Sequence, residues 1–105
     1  MNKIRLDALK VKVSDPYMDS HEVIVNFEYE RLSKNEMKFF LEVYLGEDQF
    51  HYCFLLKIIF IIEFQYEIHD ENQLLDESIS LMIEPLMNII IMIDTMVHQE
   101  QERFT

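Results

Sequence analysis

The side chains most able to do chemistry in this chain are four histidines and one cysteine. The histidines lie 30, 18 and 29 residues apart, and none has a second ligand at helical spacing. A metal site needs several ligands in a defined geometry, so we interpret the histidines as surface or structural residues and expect no metal. They are His21, His51, His69 and His98.

Cys53 and His51 form a Cys–His pair on paper, because residues two apart lie on the same face of a strand. A catalytic thiol also needs an electropositive setting and an oxyanion hole, and the sequence supplies neither. We therefore interpret Cys53 as a buried, inert thiol. Carboxylates are abundant, and no pair stands out as general acid and base. We expect no catalytic residues, no cofactor and no enzyme activity.

The composition excludes several classes of function. Nine Lys+Arg against twenty Asp+Glu give a net charge of −11 and a pI near 4.6. Such a surface repels phosphate, which argues against nucleic-acid partners and anionic membranes. The single Gly excludes a Gly-rich phosphate cradle, and the single Cys excludes a disulfide framework and a multi-thiolate zinc site. A lone Cys suits a reducing cytosol.

No segment of the sequence has the pattern of a targeting or membrane element. The N-terminus alternates charged with apolar residues and lacks a signal-peptide core. The apolar block of residues 54–62 is short and broken by Lys57, and residues 81–97 contain Glu84, Pro85, Asn88 and Asp94. We therefore expect a cytoplasmic protein with no membrane contact.

Apolar residues alternate with polar ones through the first two thirds of the chain, which predicts β-strands. The predicted strands cover about residues 4–14, 22–32, 36–46 and 49–66. The phase of the alternation changes across Ala8, which indicates a bulge or bend. Turns are predicted at residues 33–35 and 46–48, and two successive hairpins suggest an antiparallel meander. The fourth strand is expected to bend or break near residues 55–59, because unbroken strands of its length are rare.

Residues 74–100 are predicted to form one long helix, preceded by a polar connector at residues 70–73. Pro85 has no N–H to donate and is expected to kink or split the helix. The predicted core stripe is broad, and the opposite polar arc is narrow. The stripe comprises Ile79, Met82, Ile83, Leu86, Ile89, Ile90, Ile93, Met96 and Val97. The polar arc comprises Glu77, Ser80, Glu84, Asn88 and Thr95.

These elements predict a single α+β domain over residues 1–105, in which a four-stranded antiparallel sheet packs on one long C-terminal helix. A two-layer domain of this size buries only about 60–65% of its unfolded surface. The apolar arc of the helix is wider than one sheet face needs. A symmetric partner is the commonest second cover, so we expect a homo-oligomer.

From Glu22 to Glu63 the sequence resembles the SecB family of protein-export chaperones. Its strands fall in the order and spacing of that family's second, third and fourth strands, and the segment YLGEDQFHYCF (residues 44–54) carries the closest likeness. Ile83-Glu84-Pro85-Leu86 is similar to the opening of the family's first long helix. The resemblance implies a SecB-like fold, dimers or dimers of dimers, and binding of non-native polypeptide.

The sequence departs from the SecB pattern at several points. We expect a short, divergent member without the family's second helix, and Lys57-Ile58-Ile59 replaces the usual Gly pair of the fourth strand. SecB docks SecA through acids on its strands. Only Asp7 matches an acidic docking position, whereas Val11 and Phe54 replace the other two. We therefore do not extend SecA binding to this chain.

Two main functions follow. One is a SecB-like chaperone that holds extended polypeptide in apolar grooves without catalysis. The alternative is an acidic adaptor or inhibitor of one specific partner, which could be a basic, nucleic-acid-binding protein whose nucleic acid the carboxylates imitate. Acids in a single row would favour the second function, and acids spread around apolar surface would favour the first. The candidate polypeptide-binding or oligomer surface comprises Phe40, Tyr44, Phe54, Met87, Ile91 and Met92.

Overall fold

A computed structural model of the chain describes residues 2–14, 22–47 and 52–104. It contains four strands, β1 (Lys3–Ser14), β2 (Glu22–Arg31), β3 (Glu36–Glu47) and β4 (Tyr52–Glu63), followed by one helix, α1 (Glu71–Phe104). The predicted α+β class, with a four-stranded antiparallel sheet and a C-terminal helix, is confirmed. The chain divides into two compact units, residues 1–69 with the sheet and residues 70–105 with the helix.

The strands lie in the order β1-β4-β3-β2, and every neighbouring pair is antiparallel. The predicted meander holds for β2, β3 and β4, but β1 pairs with β4 instead of β2. β2, β3 and β4 are neighbours in chain order, and β1 lies beside β4, the strand farthest from it along the chain. This arrangement is a Greek key. β1 and β2 are therefore the two edge strands of the sheet. Alternation along a strand sets which side chains share a face, but it does not select the neighbouring strand.

The two faces of the sheet differ in burial and charge. On the buried face, β3 and β4 oppose each other through close cross-strand pairs such as Phe39 with Phe60 and Leu41 with Ile58. The charged face carries Lys57 on β4 and Glu42 on β3. The buried-face side chains of the central strands are Met37, Phe39, Leu41, Val43, Leu45, Leu56, Ile58, Phe60 and Ile62, none more than 9% exposed.

Two register shifts interrupt the edge strands. In β1 the pairing passes from Leu6 to Ala8, so Asp7 is the extra residue of a bulge, as the phase change at Ala8 predicted. A second shift lies in β2 between Ile24 and Asn26, where the sequence predicted an unbroken alternation. The predicted break in the fourth strand is wrong. β4 ends at Glu63, earlier than predicted, and it pairs with β3 from Tyr52 to Glu63 without a register shift, whereas predicted strand residues 49–51 lie outside the described residues.

The turn between β2 and β3 is fastened to the segment that follows β4. The Phe64 N–H donates to the Asn35 carbonyl at 2.8 Å, and the Asn35 side-chain amide donates back to the Phe64 carbonyl at 3.1 Å. The Ile68 N–H donates to the Lys34 carbonyl at 2.8 Å. Phe64 and Ile68 are both buried. The predicted turn at residues 33–35 therefore also fixes the path of the chain as it leaves the sheet.

The helix begins earlier than predicted because the polar connector forms its first turn. The Asp70 carboxylate accepts a hydrogen bond from the Asn72 N–H at 3.0 Å, which is the geometry of an N-cap. The helix runs unbroken through Pro85, so the predicted split is wrong. Its buried side chains form one stripe at helical spacing, narrower than the predicted one. They are Leu74, Ser78, Met82, Ile89 and Ile93.

Candidate functional site

The structure separates the three aromatic residues predicted for the sheet surface. Phe40 and Tyr44 lie on the charged face, where their cross-strand partners on β4 are Ile59 and Leu55. Phe54 pairs with Leu45 and therefore lies on the buried face. All three are half-buried. Two of the predicted residues thus share one surface, and the third lies on the opposite side of the sheet.

An apolar strip on the charged face is interrupted by one charged pair. Its two cross-strand pairs are Phe40 with Ile59 and Tyr44 with Leu55, all half-buried, and Glu42 with Lys57 lies between them. The Lys38 ammonium stands 5.2 Å from the centroid of the Phe40 ring, which is within cation–π range. The strip is therefore flanked by charge and only partly open to solvent.

Additional exposed apolar residues lie where the buried face reaches the sheet edges. On β1, Leu6 and Val11 are 47% and 48% exposed, although their β4 partners are fully buried. On β2, Phe27 and Tyr29 are 36% and 37% exposed. Sequence reasoning assigned these residues to the correct face but missed their exposure, because alternation does not show where a sheet ends.

The β2 aromatics form a cluster with a buried residue of β3. The Phe27 and Phe39 rings stack with centroids 6.0 Å apart, and the Tyr29 ring lies 6.2 Å from Phe39 and 6.4 Å from Phe27. These distances are in the range of favourable aromatic pairs. The cluster keeps two large exposed rings fixed at an open strand edge.

The two edge strands carry opposite charges on the charged face, whereas β3 and β4 between them carry both signs. Acidic residues occupy β2, with Glu28 and Glu30 both exposed and Glu42 on the neighbouring strand. Basic residues occupy the other edge, which we call the basic edge and define as Lys3, Arg5, Lys10 and Lys12 of β1 with Lys57 of β4. Asp7, the predicted docking acid, is exposed at the β1 bulge. The described acids of the sheet therefore do not form a single row.

The helix unit presents the three residues predicted for its surface. Met87, Ile91 and Met92 are 47%, 56% and 48% exposed. Ile79, Ile83 and Met96, which were predicted to belong to the core stripe, are also exposed, at 44%, 53% and 59%. At about 100° per residue, Ile79, Ile83, Met87 and Ile91 follow one another at intervals of four along a slowly turning exposed stripe.

One helical segment is long and apolar enough to cross a membrane by length and composition alone. It covers the 23 residues Leu74–Met96 and has a mean hydropathy of 1.6. Of the 18-residue apolar stretch within it, 17% is buried. The polar residues of this region are the reason that the sequence predicts no membrane contact. Four acids lie within the segment: Asp76, Glu77, Glu84 and Asp94.

The residues considered for chemistry do not assemble into a site within the described part of the chain. No group of three or more His, Cys, Asp or Glu side chains there is arranged to hold a metal ion. His69 is exposed in the segment before the helix. His21 and His51 lie outside the described residues, and the side chains of Cys53 and His98 are not described either.

Comparisons of the chain with protein-family models, with curated proteins and with solved structures found no match.

Proposed function

We propose that this protein binds extended, non-native polypeptide without catalysis, in the manner of the SecB family that its sequence resembles. The observation that carries the proposal is the exposure of large apolar side chains on both edge strands of the sheet. Leu6 and Val11 on β1, and Phe27 and Tyr29 on β2, are between 36% and 48% exposed.

An open strand edge offers an extended chain two kinds of interaction at once. Within the described residues, β1 pairs with β4 alone and β2 with β3 alone, so each edge strand has backbone N–H and C=O groups on its free side there. Strand addition uses those groups for affinity and uses pockets between alternate side chains for selection. Apolar side chains beside a free edge favour a partner that is itself extended and apolar.

The distribution of acids supports the same proposal. Acids spread around apolar surface, not in a single row, were the pattern expected for a polypeptide binder. Glu28 lies opposite Phe40 of the half-buried strip, and Glu30 is the next acid on the same face of β2. A net charge of −11 keeps a protein with this much exposed apolar surface in solution.

We further propose that the protein is a homo-oligomer, a dimer or a dimer of dimers. The exposed stripe Ile79–Ile83–Met87–Ile91 consists of large apolar side chains that are each 44–56% exposed, and contiguous exposed apolar surface is typical of interaction sites. Light scattering at micromolar concentration is expected to give at least twice the monomer mass. A monomer at that concentration would contradict the oligomer.

The function is tested by titrating the protein with a reduced, unfolded model polypeptide and with the same polypeptide in its folded form. We expect binding to the unfolded form alone. The binding should persist at about 0.5 M salt, because burial of apolar area is screened far less than attraction between surface charges. Equal binding to both forms, or binding to neither, would contradict the proposal.

An acidic adaptor or inhibitor of one basic partner is the second candidate. The observation that favours it is the alternation of exposed Glu28 and Glu30 along a free edge. A basic, folded protein in the same titration distinguishes the two functions. If the chain binds the basic protein but not the unfolded polypeptide, and this binding is lost as salt rises, the result would favour the adaptor over the chaperone.

A further inference from the structure

The basic edge is unexpected in a chain with this charge. Five of the nine Lys and Arg residues lie together on the charged face of β1 and β4, although acids outnumber them twofold in the sequence. Among the described residues, none of these five cations forms an ion pair or a hydrogen bond through its side chain. Each of the five is exposed. In the register Glu63 lies opposite Lys3 and Glu42 lies opposite Lys57, so the excess of positive charge is concentrated at Arg5, Lys10 and Lys12 of β1.

Two of these cations repel each other in the sheet. Lys10 lies directly opposite Lys57 in the β1–β4 register, and like charges at opposed positions are unfavourable. A carboxylate brought beside Lys10 would relieve that repulsion. Lys57 has Glu42 opposite it on its β3 side, whereas the one described cross-strand partner of Lys10 is Lys57, so an anionic neighbour at the β1 edge is favourable beside Lys10.

The regular part of β1 determines what kind of chain fits beside it. After the bulge at Asp7, β1 pairs continuously with β4 from Ala8 to Ser14. Along this stretch Lys10 and Lys12 lie on the charged face, and Leu9 and Val11 lie on the buried face. A strand added at this edge would place its alternate side chains beside lysines on one face and beside apolar groups on the other.

We propose that the β1 edge binds, by strand addition, extended polypeptide segments in which acidic and apolar residues alternate. This inference rests on the proposed function and names its preferred ligand. The acidic positions of the segment face Lys10 and Lys12, and the apolar positions cover Val11. The other edge strand would not select the same segment, because Glu28 and Glu30 occupy its charged face.

Two other occupants are less well matched to this edge. A second copy paired antiparallel through β1 would bring lysines and arginines opposite one another, which is unfavourable. A second copy paired through β2 offers the right alternation, in Phe27–Glu28–Tyr29–Glu30. That head-to-tail contact joins different edges, so repeating it builds an open chain of copies unless the rotation closes.

The test uses the full chain and three fluorescent peptides of equal length. All three have valine at alternate positions, and the intervening positions are Glu, Lys or Ser. Fluorescence anisotropy at about 0.15 M salt, where a Debye length of about 8 Å screens the net charge of −11, should show the Glu peptide binding about fivefold more tightly than the Ser peptide, with the Lys peptide weakest. Equal affinity for the three peptides would overturn the inference.

Lys10→Glu and Lys34→Glu form a matched pair of variants, because each changes the net charge by the same amount. Lys34 is exposed in the β2–β3 turn, away from the basic edge. Lys10→Glu should abolish the preference for the Glu peptide, whereas Lys34→Glu should keep it. Folding is not at risk in the first variant, since the new carboxylate faces Lys57. Loss of preference in both variants would mean that only the overall charge matters.

Two controls separate strand addition from simple attraction of anions. A Glu peptide that is N-methylated at alternate residues keeps its charges but loses backbone donors, so its binding should fall sharply. Displacement of the Glu peptide by inorganic polyphosphate at equal charge concentration would identify an anion site instead. If the protein instead assembles into larger species as its concentration rises, and these assemblies no longer bind the peptide, β2 of a second copy is the occupant.

The outcomes also separate this inference from the proposed function. If the protein binds a reduced, unfolded polypeptide but treats the three peptides alike, the edge preference is wrong and the polypeptide-binding function stands. If it binds the Glu peptide but no unfolded polypeptide, the general function is wrong and the edge site stands. Binding to neither would overturn both.

Discussion

The central and edge strands of the sheet carry the same alternation of apolar and polar residues, but their apolar side chains differ widely in solvent exposure. Phe60 on β4 is 1% exposed, whereas Leu6, directly opposite it on β1, is 47% exposed. The helix repeats this contrast between its buried stripe, which includes Ile93, and its exposed stripe, which includes Ile91. Similar residue types therefore serve stability at one position and remain available to a partner at another.

The largest effect is expected from a charge placed on the buried stripe of the helix. Ile93→Asp should lower the free energy of unfolding by about 4–5 kcal/mol, because it buries an unpaired carboxylate at a site that is 7% exposed. The matched change Ile91→Asp, at a site 56% exposed, should cost the folded chain itself less than about 1 kcal/mol, and any further loss should depend on protein concentration because it comes from the proposed oligomer contact. Urea unfolding measures both, and equal losses would mean that the two stripes do not differ.

The cross-strand pair on the sheet gives the next largest difference. Phe60→Ala should cost about 3–4 kcal/mol, since it removes a fully buried ring and leaves a cavity. Leu6→Ala removes a side chain that is already half in water and should cost about 1 kcal/mol. Thermal unfolding of the two variants compares them directly. A Leu6 variant as unstable as the Phe60 variant would show that β1 is covered in solution.

These contrasts also show how far the sequence predicts the structure. The phase change at Ala8 located a bulge correctly, because alternation along one strand is a local property. The placement of β1 beside β4 could not be predicted in this way, because strand pairing depends on contacts far apart in the chain. Similarly, Ile79 and Ile83 matched a core pattern and are exposed, because periodicity defines a face without showing what covers it.

Replacing Ser78 should change the free energy of unfolding by less, and in the stabilising direction. It lies on the buried stripe of the helix with 0% exposure, and its hydroxyl has no hydrogen-bond partner within the described residues. Ser78→Ala removes a buried polar group without changing the shape of the site, so it should stabilise the protein by about 1 kcal/mol. Destabilisation on chemical unfolding would indicate that the hydroxyl has a partner in solution.

The smallest effect on stability is expected at the sheet edge. Val11→Ser should change the free energy of unfolding by less than about 0.5 kcal/mol, because the side chain is 48% exposed. The same change should weaken binding of unfolded polypeptide, since it removes apolar area beside the free edge. Binding titrations and urea unfolding of this single variant separate the two roles. Unchanged binding would exclude Val11 from the polypeptide-binding surface.

Amide hydrogen exchange with and without unfolded polypeptide tests the central claim most directly. The claim is that the edges of the sheet bind polypeptide while its central strands provide stability. Addition of a reduced, unfolded chain should slow exchange along β1 between Ala8 and Ser14, where strand addition would supply new hydrogen-bond partners. Exchange in β3 and β4 should stay the same. Saturated binding with no added protection in either edge strand would contradict the account.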